Sequence, residues 1–369
     1  MELKELQQHI RTLVTLEETD APVVSAYFNV AERNAAHRRF LDERTQFVGG
    51  SLPPSAAEDF KQAMRSVADF VESPLDQTTQ GAAIFARAGN SPFFLALQFQ
   101  VPLPSMIAVG SSANVYHLVE LKDTYHRYVV VILNEMGARI LEVNLGEVTK
   151  EIWSARPEFR ARIGRTWTRE HYHHHHELQM HEFIDEKIKI VDRLMAAGGH
   201  THLIVAGNQQ MAWQFRHALP YHLSAKFVDV VDALDSTQDV VTATIAEFVK
   251  REEQESLAVV DELLREIKRD GLAVAGTDAT MEALQFGIAD VLVLAKGFDP
   301  QFGVKEQMVQ LAERYGTTIE VVNESEPLDR LGGVGCLLRY RVSPAENSAP
   351  YQNEAKGIEL PAYAKGITS

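Results

Sequence analysis

The sequence predicts an α/β (α+β) fold of three domains, with a mixed sheet in the middle domain. The chain has 369 residues, which is too long for one ordinary hydrophobic core. Short apolar runs of strand length alternate with segments of helical period along most of it. Between residues 128 and 231, three consecutive strand patterns precede an alternation of helix and strand. This order indicates antiparallel and parallel strands in one sheet.

We assign residues 1–123 to an N-terminal α/β domain. Apolar residues at helical spacing predict an opening helix, and Asp20-Ala21-Pro22 ends that pattern. The further predicted elements are a strand at Val23–Val30, helices at Arg33–Gln46 and Ala56–Glu72, a hairpin of 81–87 with 93–99, and a short helix at His117–Lys122.

Residues 124–234 form the predicted middle domain. The apolar run Tyr128–Leu133 and the alternating segment Ala138–Leu145 are separated by a short turn, which predicts a hairpin. The elements predicted after it are a strand at Val148–Trp153, a helix at Thr168–Ala197 ended by Gly198-Gly199, a strand at His202–Gly207, a helix at Gln210–Leu219 and a strand at Lys226–Val231.

Residues 235–369 are assigned to a linker helix, a second small α/β unit and a tail. The linker helix spans Thr237–Lys268, and weak periodicity after Ser343 marks the tail. The predicted elements between them are strands at 273–276, 291–295, 318–322 and 336–342 and helices at 280–287 and 304–315.

The composition is that of a folded, globular protein, with 45% hydrophobic and 24% charged residues. The net charge of −15 opposes nucleic-acid binding by the chain as a whole, although a local basic cluster can still contact phosphate.

The single cysteine, Cys336, fits a reducing compartment, and it is expected in the core. We find no signal-peptide pattern and no apolar run near the ~20 residues that span a bilayer. We therefore expect a cytoplasmic protein without membrane contact.

A basic loop, residues 154–176, follows the third strand of the middle domain. It contains five arginines against two glutamates, and five histidines. Guanidinium groups suit bidentate contact with phosphate, so we expect RNA binding here. The alternative is a solvated loop whose arginines pair with acidic patches of the same chain. The predicted RNA-binding residues are Arg156, Arg160, Arg162, Arg165, Arg169, His173 and His174.

The histidines of this loop raise the question of a metal site. On a helix, His171 and His175 would share one face at a spacing seen in zinc sites. However, the run His173–His176 points around the helix in several directions, and no acidic or cysteine ligand completes a set. We expect no metal and no cofactor, and a helix start whose charge changes with pH.

Three other residues have two interpretations each. Trp153 and Trp167 flank the basic loop, where packing is favoured over stacking on bases. Gly207 lies between a strand and a helix, where a plain turn is favoured over a phosphate site.

Four segments follow one another in order along the second and third predicted domains: VVVILNEMGARILEVNLGEV, HLIVAGNQQMAWQFRHALP, AGTDATMEALQFGIADVLVLAKGF and TTIEVVNESEPLDRLGGVGCLLRY. Through this ordered set, residues 126–342 resemble the second and third domains of archaeal and eukaryotic peptide-chain release factors. The resemblance implies that the third domain has an L7Ae/L30e-like fold. The first 125 residues, with PVVSAYFNV after the opening helix, look like the bacterial release-factor-like branch.

The resemblance also implies a catalytic Gly-Gly-Gln loop just before the long helix of the middle domain. The basic loop stands at that position and contains no Gly-Gly-Gln; its positional candidates for catalysis are Gly164, Arg165 and Thr166. Gly198-Gly199-His200 lies at the other end of the helix, where a capping glycine is expected. The first domain contains no Asn-Ile-Lys-Ser motif of the kind that reads stop codons.

Three hypotheses of function follow. The first is a ribosome- or tRNA-associated release-factor-like protein that acts on peptidyl-tRNA in rescue or quality control, and not in stop-codon termination. The second is a non-catalytic RNA- or ribosome-binding protein on the same scaffold, and the third is a His-cluster metallohydrolase. The expected partners are the ribosome and/or tRNA, with a protein partner through the third domain. Whether the protein is an enzyme is left open.

Overall fold

The computed structural model describes residues 1–30, 35–50, 52–134, 137–155, 169–232, 236–298, 300 and 303–340. The chain divides into two compact units. The first contains Met1–Leu3 and Tyr125–Glu252, and the second contains the rest of the described chain. Each of the three predicted domains contains one β-sheet, and the predicted boundaries at 123/124 and 234/235 stay a prediction.

The N-terminal sheet, in the second unit, is antiparallel and has the strand order β3-β2-β1-β4. Helices α2 and α3 bury apolar side chains on one of its faces, among them Phe60 and Val67 against Ile84. Strand β4 was not predicted. It is short and follows two prolines, which hide the pattern in the sequence. The elements are α1 (Leu3–Val14), β1 (Val23–Asn29), α2 (Ala35–Gly49), α3 (Pro54–Glu72), β2 (Gly81–Arg87), β3 (Phe93–Phe99), β4 (Met106–Gly110) and α4 (Tyr116–Thr124).

The middle sheet, in the first unit, is mixed, as predicted. Its order is β7-β6-β5-β8-β9, and β5 pairs antiparallel with β6 but parallel with β8. Helix α7 was not predicted from the sequence. The elements are β5 (Tyr128–Asn134), β6 (Gly137–Asn144), β7 (Glu147–Ala155), α5 (Arg169–Gly198), β8 (Leu203–Gly207), α6 (Gln209–Ala218), α7 (Tyr221–Ser224), β9 (Phe227–Asp232) and α8 (Thr237–Lys268).

Strand β5 is apolar throughout because both of its faces are covered. Val129, Val131 and Leu133 lie in a core with α5 and α6. Tyr128 and Val130 lie in a second core, on the other face, with the first half of α8. The strand therefore reads as a continuous apolar run instead of an alternating one.

The third sheet, in the second unit, has the order β10-β13-β11-β12, with β11 and β12 parallel. Cys336 lies in its core, as predicted, and burial raises the pKa of the thiol to about 12. The short helix α11 was missed from the sequence. The elements are β10 (Ala273–Ala275), α9 (Thr277–Gln285), β11 (Ala289–Ala295), α10 (Val304–Tyr315), β12 (Thr318–Val322), α11 (Glu326–Arg330) and β13 (Val334–Leu338).

Carboxylates of the second unit bond to backbone N–H groups at two places. Glu306 accepts from the N–H groups of Val115 and Tyr116, at 2.9 and 3.3 Å. Asp123 accepts from the N–H of Val321 at 2.9 Å. Burial raises the pKa of Glu306 to about 7 and also raises the pKa of Asp123. The protonated carboxyl is thus favoured by the fold.

Within the described parts of the chain, no helix is both long enough and apolar enough to cross a lipid bilayer.

The stability of the second unit should fall as pH rises from about 4.5 to 7. Over this range the folded protein keeps the proton of Glu306, whose pKa is raised from 4.5 to about 7, while the unfolded chain loses it. The loss from this group is at most about 3 kcal/mol. Urea unfolding across this pH range should show a weaker pH dependence in Glu306→Gln than in the wild type. The control Glu282→Gln, an exposed residue on α9, should keep the wild-type slope. An unchanged slope in Glu306→Gln would refute this assignment.

Candidate functional site

The basic loop leaves the sheet from its edge strand β7 and joins the start of α5. Residues 156–168 lie outside the described residues, and so do the RNA-binding candidates Arg156, Arg160 and Arg162 and the positional candidates Gly164, Arg165 and Thr166. Arg169, His173 and His174 lie on the first two turns of α5, in a part whose side chains are not described. His171 and His175 share that part. The predicted site residues therefore stay a prediction, whereas the base of the loop has a defined geometry.

A buried lysine in the middle of α5 contacts the end of β7, where the basic loop begins. The side chain of Lys187, on α5, is almost fully buried. Its Nζ donates to Ser154 Oγ at 2.5 Å and lies 3.0 Å from Glu186 Oε2. The same ammonium lies 4.8 Å from the centre of the Phe183 ring. Ser154 stands one residue before the end of β7, so this contact ties the exit of the strand to the helix.

These contacts offset the cost of burying the Lys187 charge. Removing an ammonium group from water costs several kcal/mol unless hydrogen bonds and an opposite charge replace the water. Here a hydroxyl, a carboxylate and an aromatic face surround it. The arrangement holds the last residues of β7 against the middle of α5, and this positions the strand end from which the basic loop leaves.

The sequence analysis did not identify Lys187 as a buried residue, although the apolar pattern of α5 indicates it. Phe183, Ile184, Ile188 and Val191 are buried in the core below α5. A residue four positions after Phe183 falls on this same buried face. A charged residue inside an apolar helical stripe therefore marks a buried charge, for which a partner must exist.

Trp153 is exposed beside the loop. The residue is 52% exposed, so part of its surface is open to solvent and available to a ligand. Trp153 pairs across the sheet with Arg139, whose guanidinium donates to Thr237 at 2.7 Å. An exposed indole next to a basic loop is suited to stacking on a base. Trp167 lies beyond the described residues.

The Gly-Gly-His segment is a helix end, as predicted. Gly199 has a φ of +65°, the left-handed conformation that closes α5, and the N–H of His200 donates to the carbonyl of Met195 at 3.1 Å. His200 is fully buried, and its Nε2 lies 3.1 Å from Glu142 Oε1. Burial lowers the pKa of His200. This segment therefore serves packing.

Gly207 marks a close approach of two strands. A Cβ at this residue would lie 2.0 Å from the carbonyl oxygen of Leu133, and its φ is +118°. The helix that follows is capped by Asn208, whose Oδ1 accepts from the N–H groups of Gln210 and Met211. The side chain thus occupies the N–H groups that a phosphate would use, which supports the plain turn.

Two substitutions of Lys187 should distinguish the contribution of its charge to the free energy of unfolding from the contribution of its side-chain volume. We expect Lys187→Ala to lose about 2–4 kcal/mol, because it leaves a cavity and a Ser154 hydroxyl without its partner. Lys187→Met keeps the volume and removes the desolvation cost, so its stability should stay within about 1 kcal/mol of wild type or exceed it. The measurement is urea unfolding, and Lys189→Met, on the exposed side of α5, is the control. A loss in Lys187→Met as large as in Lys187→Ala would show that the charge itself is stabilising.

Comparisons with known proteins divide the chain at residue 253. Residues 114–253 match the family described as Bacterial archaeo-eukaryotic release factor family 10, and residues 253–342 match eRF1 domain 3. The pelota homologue of Methanocorpusculum labreanum is 33% identical over 90 residues, which cover 23% of this chain and 26% of that protein. The pelota homologue of Methanoculleus marisnigri is 36% identical over 93 residues, with 23% and 26% covered. The chain thus spans about a quarter of the length of these curated relatives.

Solved structures also show similarity at low sequence identity. Archaeoglobus fulgidus Pelota is 16% identical, with 92% of this chain and 93% of that chain covered and a TM-score of 0.37. S. cerevisiae Dom34, described as a translation termination-like factor, is 13% identical, with 73% and 81% covered and a TM-score of 0.42. The two family matches are contiguous and follow the order expected from the sequence. Residues 114–342 are therefore similar, over two contiguous segments, to models of the archaeal/eukaryotic release-factor-like family.

Proposed function

We propose that this protein associates with the ribosome or with tRNA through the basic loop 154–176, and that it acts in rescue or quality control and not in stop-codon termination. The observation that carries the proposal is a loop with five arginines and two glutamates in a chain of net charge −15. In the release factors that the chain resembles, the catalytic loop stands at the corresponding position.

The base of the loop supports this role. The Lys187–Ser154 contact fixes where β7 ends, and the exposed Trp153 provides an aromatic surface beside the arginines. Cationic side chains next to an aromatic ring are the combination that binds single-stranded or irregular RNA. Arg156, Arg160, Arg162, Arg165, Arg169, His173 and His174 are the residues proposed for RNA contact.

The chemistry of the loop has two candidate forms. In one, Gly164, Arg165 and Thr166 replace the Gly-Gly-Gln tip and promote hydrolysis of the peptidyl-tRNA ester. In the other, the protein binds without catalysis. The absence of Gly-Gly-Gln favours the second form. The absence of Asn-Ile-Lys-Ser argues against codon reading in both.

The proposal also includes a partner for the third domain and a cellular compartment for the protein. Residues 253–342 match eRF1 domain 3, and we propose that this domain contacts a protein partner. A role on the ribosome implies a cytoplasmic protein.

Co-sedimentation with ribosomes, and binding to bulk tRNA, should weaken steeply as salt rises, because bound arginines release counterions from phosphate. The logarithm of the binding constant should fall linearly with the logarithm of the salt concentration. The variant Arg156→Gln/Arg160→Gln/Arg162→Gln should make this slope shallower by about one for each phosphate that these arginines neutralise. A matched control is Lys150→Gln/Lys189→Gln/Arg193→Gln, which removes three exposed cations of the same unit.

The control should keep the wild-type slope. Equal reductions of the slope in the two triple variants would show that binding is not localised to the loop. No association of the wild type with either ribosomes or tRNA would overturn the proposal.

Release of peptide from peptidyl-tRNA on the ribosome separates the two forms of chemistry. The non-catalytic form predicts release no faster than without the protein, and binding that persists in Arg165→Ala. If the wild type releases peptide, and Arg165→Ala still binds the ribosome but does not release peptide, the catalytic form is correct. Deletion of Glu158–Thr168 should abolish both activities while unfolding remains cooperative.

A further inference from the structure

Two histidines and a glutamate meet at one end of the middle sheet. His126 precedes β5, and His202 immediately precedes β8, which pairs parallel to β5. Both histidines therefore lie at the N-terminal ends of neighbouring strands. Glu252 reaches them from α8. The basic loop leaves from the opposite end of the sheet, because Ala155 pairs with Gly137, which in turn pairs with Asn134 at the C-terminal end of β5.

The separations between these groups suit a metal ion. Glu252 Oε1 lies 3.5 Å from His126 Nε2 and 3.4 Å from His202 Nε2. One ligand atom from each of the three residues lies within 4.8 Å of the other two. Zinc binds histidine nitrogen and carboxylate oxygen at about 2.0–2.2 Å in tetrahedral geometry, which places neighbouring ligand atoms about 3.3–3.5 Å apart. Two of the three separations already have this value.

The surroundings hold the two imidazoles in place. Phe248 is fully buried one turn before Glu252 on α8, and its ring makes edge contacts with His126 and His202 at 5.0 and 5.3 Å. His202 Nδ1 lies 2.9 Å from the hydroxyl of Thr201. When Nδ1 carries the proton of the ring, Nε2 keeps its lone pair toward Glu252. An outer hydrogen bond of this kind fixes the tautomer of histidines that bind metals.

We propose that His126, His202 and Glu252 bind one divalent transition-metal ion of the zinc class, with solvent in the remaining position. Two imidazoles and one carboxylate favour such ions over Mg²⁺ or Ca²⁺, which prefer all-oxygen sites. The ion ties α8 to the starting ends of β5 and β8. This site shares no residue with the His171–His176 segment and goes beyond the proposed RNA-binding function, since the first unit can bind the ion whether or not the loop binds RNA.

The alternative is a hydrogen-bonded ion pair that forms when the histidines are protonated. Metal titration distinguishes a metal site from an ion pair. The histidines of the basic loop must first be replaced, because they could also bind the added metal. The full-length protein is therefore compared with a variant in which His171 and His173–His176 are all replaced by Gln. Each protein is stripped with chelator and titrated with Zn²⁺ while bound metal and Tm are measured. Co²⁺ serves as a second probe, because its visible spectrum reports tetrahedral coordination.

We expect the five-Gln variant to keep one bound Zn²⁺ per chain, with a Tm that rises with Zn²⁺. In that background Glu252→Gln should weaken Zn²⁺ binding more than about 100-fold, since loss of even an outer-shell partner costs about 10–100-fold. The control Glu247→Gln changes a glutamate on the same helix that bonds to Lys250, and it should bind as the five-Gln variant does.

His126→Gln is a second test variant, because its partly exposed side chain is less demanding for folding than the buried His202. Loss of all Zn²⁺ binding in the five-Gln variant would overturn the proposal. Equal affinity in Glu252→Gln, His126→Gln and the control would overturn it as well. A tetrahedral Co²⁺ spectrum that disappears in both test variants supports it.

Discussion

The middle domain depends on burial of β5 on both faces. This strand pairs with β6 on one side and β8 on the other, and its side chains enter two separate cores. Because every other residue faces α5 and α6 and the rest face α8, a polar residue at almost any position would lose hydrophobic stabilisation on one face or the other. The two ends of the same strand lie near different groups: the His126–His202–Glu252 cluster is near its start, and the origin of the basic loop is near its end.

Charge in this protein acts locally. At physiological ionic strength the screening length is about 8 Å, so the net charge of −15 counts for less at a phosphate contact than the arginines beside it. A buried charge follows the same rule. Lys187 is stabilised by a hydroxyl, a carboxylate and an aromatic ring that lie next to its ammonium group.

Much of the fold could be predicted from the sequence, because most elements are regular in period. The helix pattern at 237–268 and the β5–β6 hairpin match the structure, since their signals are local. Helices α7 and α11 could not be predicted, because a helix of four or five residues holds less than two turns of the helical pattern, and strand β4 was missed because two prolines precede it. The His126–His202–Glu252 cluster was also beyond sequence reasoning. Its residues are separated by 76 and 50 positions, and only the parallel pairing of β5 and β8 brings them together.

The reactivity of Cys336 can report on opening of the third sheet. It is the only cysteine in the chain, and it lies in the core of the third sheet, on a strand flanked by β10 and β11. Thiol reagents need an exposed thiolate, and this thiol is both enclosed and held in its neutral form. Its modification rate therefore follows the opening of this one sheet, with no second thiol to confuse the signal. An alkylating probe therefore monitors the opening of this sheet in the full-length chain, without any engineered label.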